Sequence, residues 1–456
     1  MAFRRTVWKS HKINFDDVKL GEGLVIFQNA QFADGDIYFS RTGFGDGNVN
    51  FEQVKFGKGS IDFTEATFGH GDISFDLAEF NTGETFFNVL TFGSGNVSFA
   101  NATFGAGIKS FGAMQLIKGN VDFQEVKFGD GDVDFKDAQF GKDSVSFKRA
   151  IFGEGSVNFI GASFGDGQNN FSKIDFGKGH VNFAGAKFNA GNLKFYKSTF
   201  EQGDANFAKA EFGSGQYDFK YVRFNGNVSL DGVKNSQAIE SLSFKHAMFE
   251  SSLDLTNLKL NCVLDLTNTK LANQVALDGL ACKPTRTGNP LRKEASDKDD
   301  AGRLRRLKEI AENNKDHELA LRFHADEMRA KRWIEKGFFA SLLDGAFSVL
   351  SNYGQSIGRP VAAFCLLFVI VVTLFTTGVP NTKAPLLDTV GHAIVFTAVN
   401  SIPVIANARK LKERSAKVLF GYKPTAWANV VMVTHSVLSI ICLFLIGLGL
   451  RNRFRI

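Results

Sequence analysis

Few residues in this chain of 456 combine the type and spacing that chemistry requires. His435 lies near the middle of an apolar run, 427–450, where an ionisable side chain is costly and marks a functional site by default. The alternative is a neutral histidine hydrogen-bonded inside a helix bundle. Asp388, His392 and Asn400 interrupt a weaker apolar segment, 386–406. Together with Ser401 they either line a wet cavity or lie at a membrane interface. His324 and Glu327 have helical HxxE spacing but lack the further ligands a zinc site needs, so a solvated face is expected there. Cys262, Cys282, Cys365 and Cys442 form no CxxC pair, hence neither a disulfide framework nor a zinc site. The recurring FGxG looks like a phosphate-binding loop, but a motif present at every corner of a repeat is structural. No Ser-His-Asp, Cys-His or paired-carboxylate arrangement stands out. No catalytic, cofactor-binding or metal-binding residue is expected, no cofactor, and no enzymatic activity.

The elements that carry these residues follow from a repeat. Phenylalanine returns at every twelfth position from Phe15 through Phe27 and Phe39 to Phe219, and a second column runs from Phe32 to Phe224 with a single break at Leu116. The unit reads h-x-F-x-x-A-x-F-G-x-G-x, and Val121 to Gly131 is one copy. The pairs h-x-F and A-x-F alternate with period two, which turns both apolar residues to one face of a strand. Glycines mark the corners. A helix would carry two glycines per unit, at roughly 1 kcal/mol each. The repeat therefore predicts a parallel β-helix, one unit stacked on the next. Phe123, Phe128, Phe135 and Phe140 are expected in its core. After Phe224 the register changes, and four units of period eleven, with Leu replacing Phe, fill 242–282 as a narrower continuation.

The domain plan is then a lead-in over 1–12, a β-helix over 13–282, a polar linker over 283–302, a helical pair over 303–358 broken at Asn313-Asn314, and a membrane domain over 359–456. Its spans fall at about 360–379 and 427–450, each long enough for ~30 Å of hydrocarbon. Segment 386–406 is either re-entrant or a third span. Residues 1–282 hold 27 Lys+Arg and 33 Asp+Glu, a net of −6, whereas 283–456 hold 26 and 14, a net of +12. The basic half contains the apolar segments, so anionic lipid is the expected polyanion, not nucleic acid. The N-terminal dozen residues contain no apolar core of a signal peptide, which places the repeats in the cytoplasm as an expectation.

Divided as (V/I)-x-F-x-x and A-x-F-x-x, the unit resembles the pentapeptide-repeat family. The resemblance implies a right-handed, four-sided β-helix with two units per coil. The Gly-rich pair at every second corner departs from that pattern, and periodicity leaves open a flat helix with one unit per coil. Segment 302–333 is similar to the helical linker of membrane-bound bacterial members. So are Asn352-Tyr353-Gly354 and Arg359-Pro360 to their approach to the membrane, and the terminal LRNRFR to their ending. This implies the inner membrane of a bacterium, with cytoplasmic repeats. Span, weaker segment, span also resembles the two-helix-plus-pore-loop plan of ion channels. There Asn400, Ser401, Ile402, Pro403 and Val404 replace the glycines that a carbonyl filter needs, so potassium selectivity is not expected. Two functions remain: a membrane-anchored scaffold or sensor binding a protein partner on the β-helix, and a channel or channel-like effector built from several copies. In the second, Asn400 and Ser401 line a pore that His392 and His435 approach. Mimicry of DNA, known among soluble members, fits poorly with the small net charge of segment 1–282 and the lysines throughout it.

Overall fold

Strand pairing fixes the coil. Val97, Val121 and Val145 are successive parallel partners, and so are Lys109, Val133 and Val157. Each partner lies two repeat units further along the chain, so two units make one coil. Four two-residue strands per coil stack into parallel sheets, the longest of twelve strands, which gives a parallel β-solenoid of about twelve turns. At ~4.8 Å per turn this is a rod of roughly 55 Å. The computed structural model describes residues 1–289, 292–378, 385–401, 408–421 and 424–454. They fall into two units: 1–287 with 295–327, and 288–294 with 328–456.

Inside the solenoid, phenylalanines stack in columns. Phe123 lies 5.0 Å from Phe99 and 4.7 Å from Phe147, with nearly parallel rings, and meets Phe135 of the neighbouring column edge-on at 5.6 Å. Phe128, Phe135 and Phe140 stack in the same way on Phe152, Phe159 and Phe164, and all four residues are fully buried. Offset stacking within a column and edge contacts between columns suit the ring quadrupole. Full burial of each ring stabilises by ~1.5–3 kcal/mol.

The corners have their own chemistry. At the F-x-x-A corner the second x is left-handed: Glu125 has φ 58° and Arg149 φ 60°. The backbone N–H there donates to the next coil, Glu125 to the Lys148 carbonyl at 2.9 Å and Arg149 to that of Ser172 at 3.0 Å. The residue before the first Phe caps this turn. Asp122 accepts from the Gln124 N–H at 2.8 Å and Asn158 from that of Ile160 at 3.0 Å. The Asx side chain satisfies a backbone donor that the sheet leaves free. At the Gly-rich corner, backbones of successive coils nearly touch. A Cβ on Gly71 would lie 2.4 Å from the carbonyl of Gly47.

Residues 1–12 are half a coil, not a lead-in. Phe3 stacks on Phe27 at 4.8 Å and Trp8 on Phe32 at 5.8 Å, continuing both columns. Trp8 escapes a search for Phe because an indole takes the place of the phenyl ring at the column end. At the other end the offset between partners shrinks to two of the shorter units, as in Leu253 with Val275 and Lys259 with Ala281. Helices α1 (Asp300–Asn313) and α2 (His317–Lys331) follow. Leu304, Leu307, Ile310 and Phe323 are buried, and Arg306 donates to the Thr269 carbonyl at 3.1 Å. The expected linker also contains two short strands, Arg286–Asn289 and Arg292–Ala295.

The second unit is helical. α3 (Phe338–Ser351), α4 (Gly358–Thr377), α5 (Leu386–Ser401), α6 (Ala408–Phe420) and α7 (Ala426–Arg453) follow in order. α4 and α7 are long and apolar enough to cross a membrane, and most of their apolar surface is exposed. Phe375 of α4, Phe396 of α5 and Phe420 of α6 form an aromatic triad with centroids 5.4–5.7 Å apart, around which Val371, Ala393, Leu419 and Ala428 are buried. Neither α3 nor α6 was expected as a separate helix. The start of segment 386–406, expected as re-entrant or a third span, is helical as α5, and its end, 402–406, lies outside the described residues.

Candidate functional site

α5 and α7 bring two of the five polar candidates, Ser401 and His435, together. His435 is 2% exposed, and its Nε2 lies 2.7 Å from the Oγ of Ser401 and 3.5 Å from that of Ser439. Ser401 donates its own proton to the Thr397 carbonyl at 2.8 Å, one helical turn back. With that proton committed, Ser401 accepts from Nε2–H, which leaves Nδ1 as the unprotonated nitrogen. Nδ1 of His435 and Oγ1 of Thr397 are both buried without a hydrogen-bond partner among the described residues. A serine beside a histidine is the start of a nucleophilic pair, but among the described residues no carboxylate orients this ring, and Ser401 is buried. The pair couples α5 to α7.

Asn400 and His392 are engaged separately. The Asn400 side chain donates to the Phe396 carbonyl of its own helix at 2.8 Å, and the Asn400 backbone carbonyl accepts from the Ser436 hydroxyl of α7 at 3.0 Å. His392 Nδ1 is 3.4 Å from Ser415 Oγ on α6. Ile402, Pro403 and Val404, the rest of the filter-like stretch, lie outside the described residues. Asp388 lies in the first turn of α5. His324 is 3.9 Å from Glu327, and among the described residues no group of three or more His, Cys, Asp or Glu side chains is arranged to hold a metal ion.

A second polar cluster was not expected. Asp344 on α3 receives Arg332 Nε and Lys336 Nζ, each at 2.7 Å, and the Tyr353 hydroxyl at 2.8 Å. Arg332 also donates to Tyr353 Oη at 2.7 Å, and Arg329 lies 5.4 Å over the Tyr353 ring. Burial alone would raise the Asp344 pKa, but the hydrogen bonds from Lys336, Arg332 and Tyr353 outweigh it and the shift is downward. For Tyr353, burial and the neighbouring carboxylate both push the phenol up. The available signal was one acid inside the otherwise uncharged run 338–351, preceded by Arg329, Arg332 and Lys336.

The solenoid surface is uneven. At the F-x-x-A corner of alternate units, backbone hydrogen bonds stack Arg149, Lys173, Lys197, Tyr221 and His246 in one column. Lys148, Tyr196, Lys220 and Lys245 stand beside them, and Lys194 lies two residues before Tyr196. Lys197 Nζ is 5.2 Å from the Tyr196 ring and 5.8 Å from that of Tyr221, which stacks on His246 at 4.7 Å. Arg149 pairs with Glu125 and Lys220 with Asp218, whereas Lys148, Lys173, Lys194, Lys197 and Lys245 make no ion pair among the described residues. From Gln28 to Glu125 the same corner carries Glu52, Asp76 and Glu125 and no Lys or Arg. Whole-domain charge hid this reversal, because the acids of one half cancel the bases of the other. No protein-family model matches the chain, and neither a curated protein nor a solved structure does.

Proposed function

We propose that this protein is a membrane-anchored scaffold of the pentapeptide-repeat kind, without catalytic activity of its own. It sits in the inner membrane of a bacterium with the solenoid on the cytoplasmic side, and it takes an acidic protein partner along one corner of that solenoid. The cationic corner from Lys148 to His246 carries the reading, because five of its lysines make no ion pair among the described residues and the Tyr221 ring between them is about half exposed. Charge of one sign on a rigid, regular face steers an oppositely charged partner and rejects others. The core gives no support to a ligand-binding reading, since stacked Phe rings fill it from Phe3 to Phe249. The channel reading has less behind it, because Ser401 and His435 are engaged with each other and Asn400 with its own helix.

Full-length protein carrying Lys173→Glu, Lys194→Glu and Lys197→Glu tests this. Captured from solubilised membranes after nuclease treatment, the variant should lose an acidic protein that wild type retains at low salt and releases at high salt. Reversal of Lys55 and Lys127, on another column, should retain it. Identical captures by wild type and the triple variant would sink the proposal.

A further inference from the structure

α3 is built inside out. Its buried stripe is polar, namely Ser341, Asp344, Ser348 and Ser351, and its exposed face is apolar. Phe338, Phe339, Leu342, Leu343 and Val349 are 56–79% exposed. A water-exposed helix has the opposite arrangement. The polar face is fixed by charge: Asp344 holds Arg332 and Lys336, and Ser341 accepts from the Trp333 N–H at 3.1 Å. Rotating the helix to hide its leucines would strip a buried carboxylate of three donors, so the apolar face is committed outward.

Its surroundings say what covers that face. α3 has 14 residues, ~21 Å of helix, too short for the ~30 Å hydrocarbon core. Its C-terminal end is tied to the ends of both long apolar helices. Arg359, in the first turn of α4, donates to the Ser348 carbonyl at 3.3 Å. Asn452, in the last turn of α7, donates to the Gly354 carbonyl at 3.1 Å. α4 starts and α7 ends at one level, and α3 is attached at that level. Arg451 and Arg453 lie in the same last turn.

We propose that α3 lies in the head-group interface of the bilayer, its Ser/Asp face on the protein and its Phe/Leu face sunk into the acyl boundary. This rests on the reading that α4 and α7 cross the membrane. It adds a third, horizontal anchor, a helix with a large apolar face whose depth is set where lipid tails meet head groups.

Site-directed spin labelling of the full chain in lipid nanodiscs tests it, with Cys262 and Cys365 replaced by Ser. Labels at Phe339→Cys and Leu343→Cys replace exposed side chains, so packing is undisturbed, and Val369→Cys reports α4. Oxygen and nickel-chelate collision rates should place labels 339 and 343 at one shared depth, about 5–10 Å below the head groups, and label 369 deeper. Nickel access at 339 and 343 equal to that of an aqueous site, with 369 still deep, would overturn the interfacial helix and leave the spans intact. Dipolar broadening between copies would assign the face to a second chain instead. A label at 343 lying ~6 Å deeper than label 339, the full rise of four helical residues, would make α3 part of a span. An aqueous reading at 369 would remove the membrane reading and this proposal together.

Discussion

Lys109 occupies a position where the other coils place Ile, Val, Leu, Thr or Ala, pairing with Thr85 and Val133 in the longest sheet. It is 1% exposed, and its ammonium reaches only the Asp130 carbonyl. Burial pushes its pKa down to about 8 from 10.5, against the pull of Asp130 and Asp132. The sign follows from proton counting. Below pH 8 both folded and unfolded chains carry the proton, and the full desolvation penalty stands. Between about 8 and 10.5 the folded chain releases its proton first, so stability rises with pH by at most about 3 kcal/mol, at about 1.36 kcal/mol per unit. Lys109→Val restores the repeat and should raise stability at pH 7 by a similar amount, roughly 6 °C in melting temperature for a domain of this size. Thermal unfolding of full-length protein in detergent, followed by circular dichroism at pH 7, 8, 9 and 10, reads both effects. Wild type should approach the variant as pH rises. Parallel profiles at all four values, or a variant less stable than wild type at pH 7, would refute the buried-ammonium argument.

Other substitutions separate core from cap and hub. Phe123→Ala should cost ~3–5 kcal/mol as a cavity, while Asp122→Ala loses one turn-capping bond and should cost about 1 kcal/mol; equal losses in the same melt would contradict the inward and outward assignments. Asp344→Asn leaves Arg332 and Lys336 without their counter-charge and should cost on the order of 3 kcal/mol. Because the Asp344 pKa is lowered in the folded chain, its contribution is present above the ordinary carboxylate range near 3.8 and fades as pH falls through the depressed value. A variant and wild type equally stable at pH 7 would remove the hub's structural role.

The solenoid was legible because its signal is repeated. Two Phe columns and the corner glycines specify strands, turns and inward faces from Phe15 to Phe224, and pairing across two units matches two pentapeptide-like pieces in each. Periodicity could not choose the coil, since the repeat is equally regular as one unit or two per turn. The capping roles of Asp122 and Asn158 were not legible, because an Asx cap is a local bond that no hydropathy pattern records. The two helices long and apolar enough to cross a membrane were visible by length and apolarity. α3 was missed because its exposed face is apolar and its buried face polar, so a search for an inward apolar stripe finds nothing coherent. The contact between Ser401 and His435 joins distant positions on separate helices, a proximity that spacing along the chain does not encode.

The central claim, a solenoid anchored by α4 and α7 in a bilayer, is tested most directly by alkaline carbonate extraction. Full-length protein expressed in a bacterial host is washed at high pH, and membranes are separated from supernatant. Two helices of 20 and 28 residues, ~30 and ~42 Å long, bury enough apolar surface in lipid to resist removal of every ionic contact. The protein should remain wholly in the membrane pellet, and a double variant with Val369→Arg and Ile440→Arg, a charge on the exposed face of each span, should be released. Recovery of the unmodified chain in the supernatant would contradict the account.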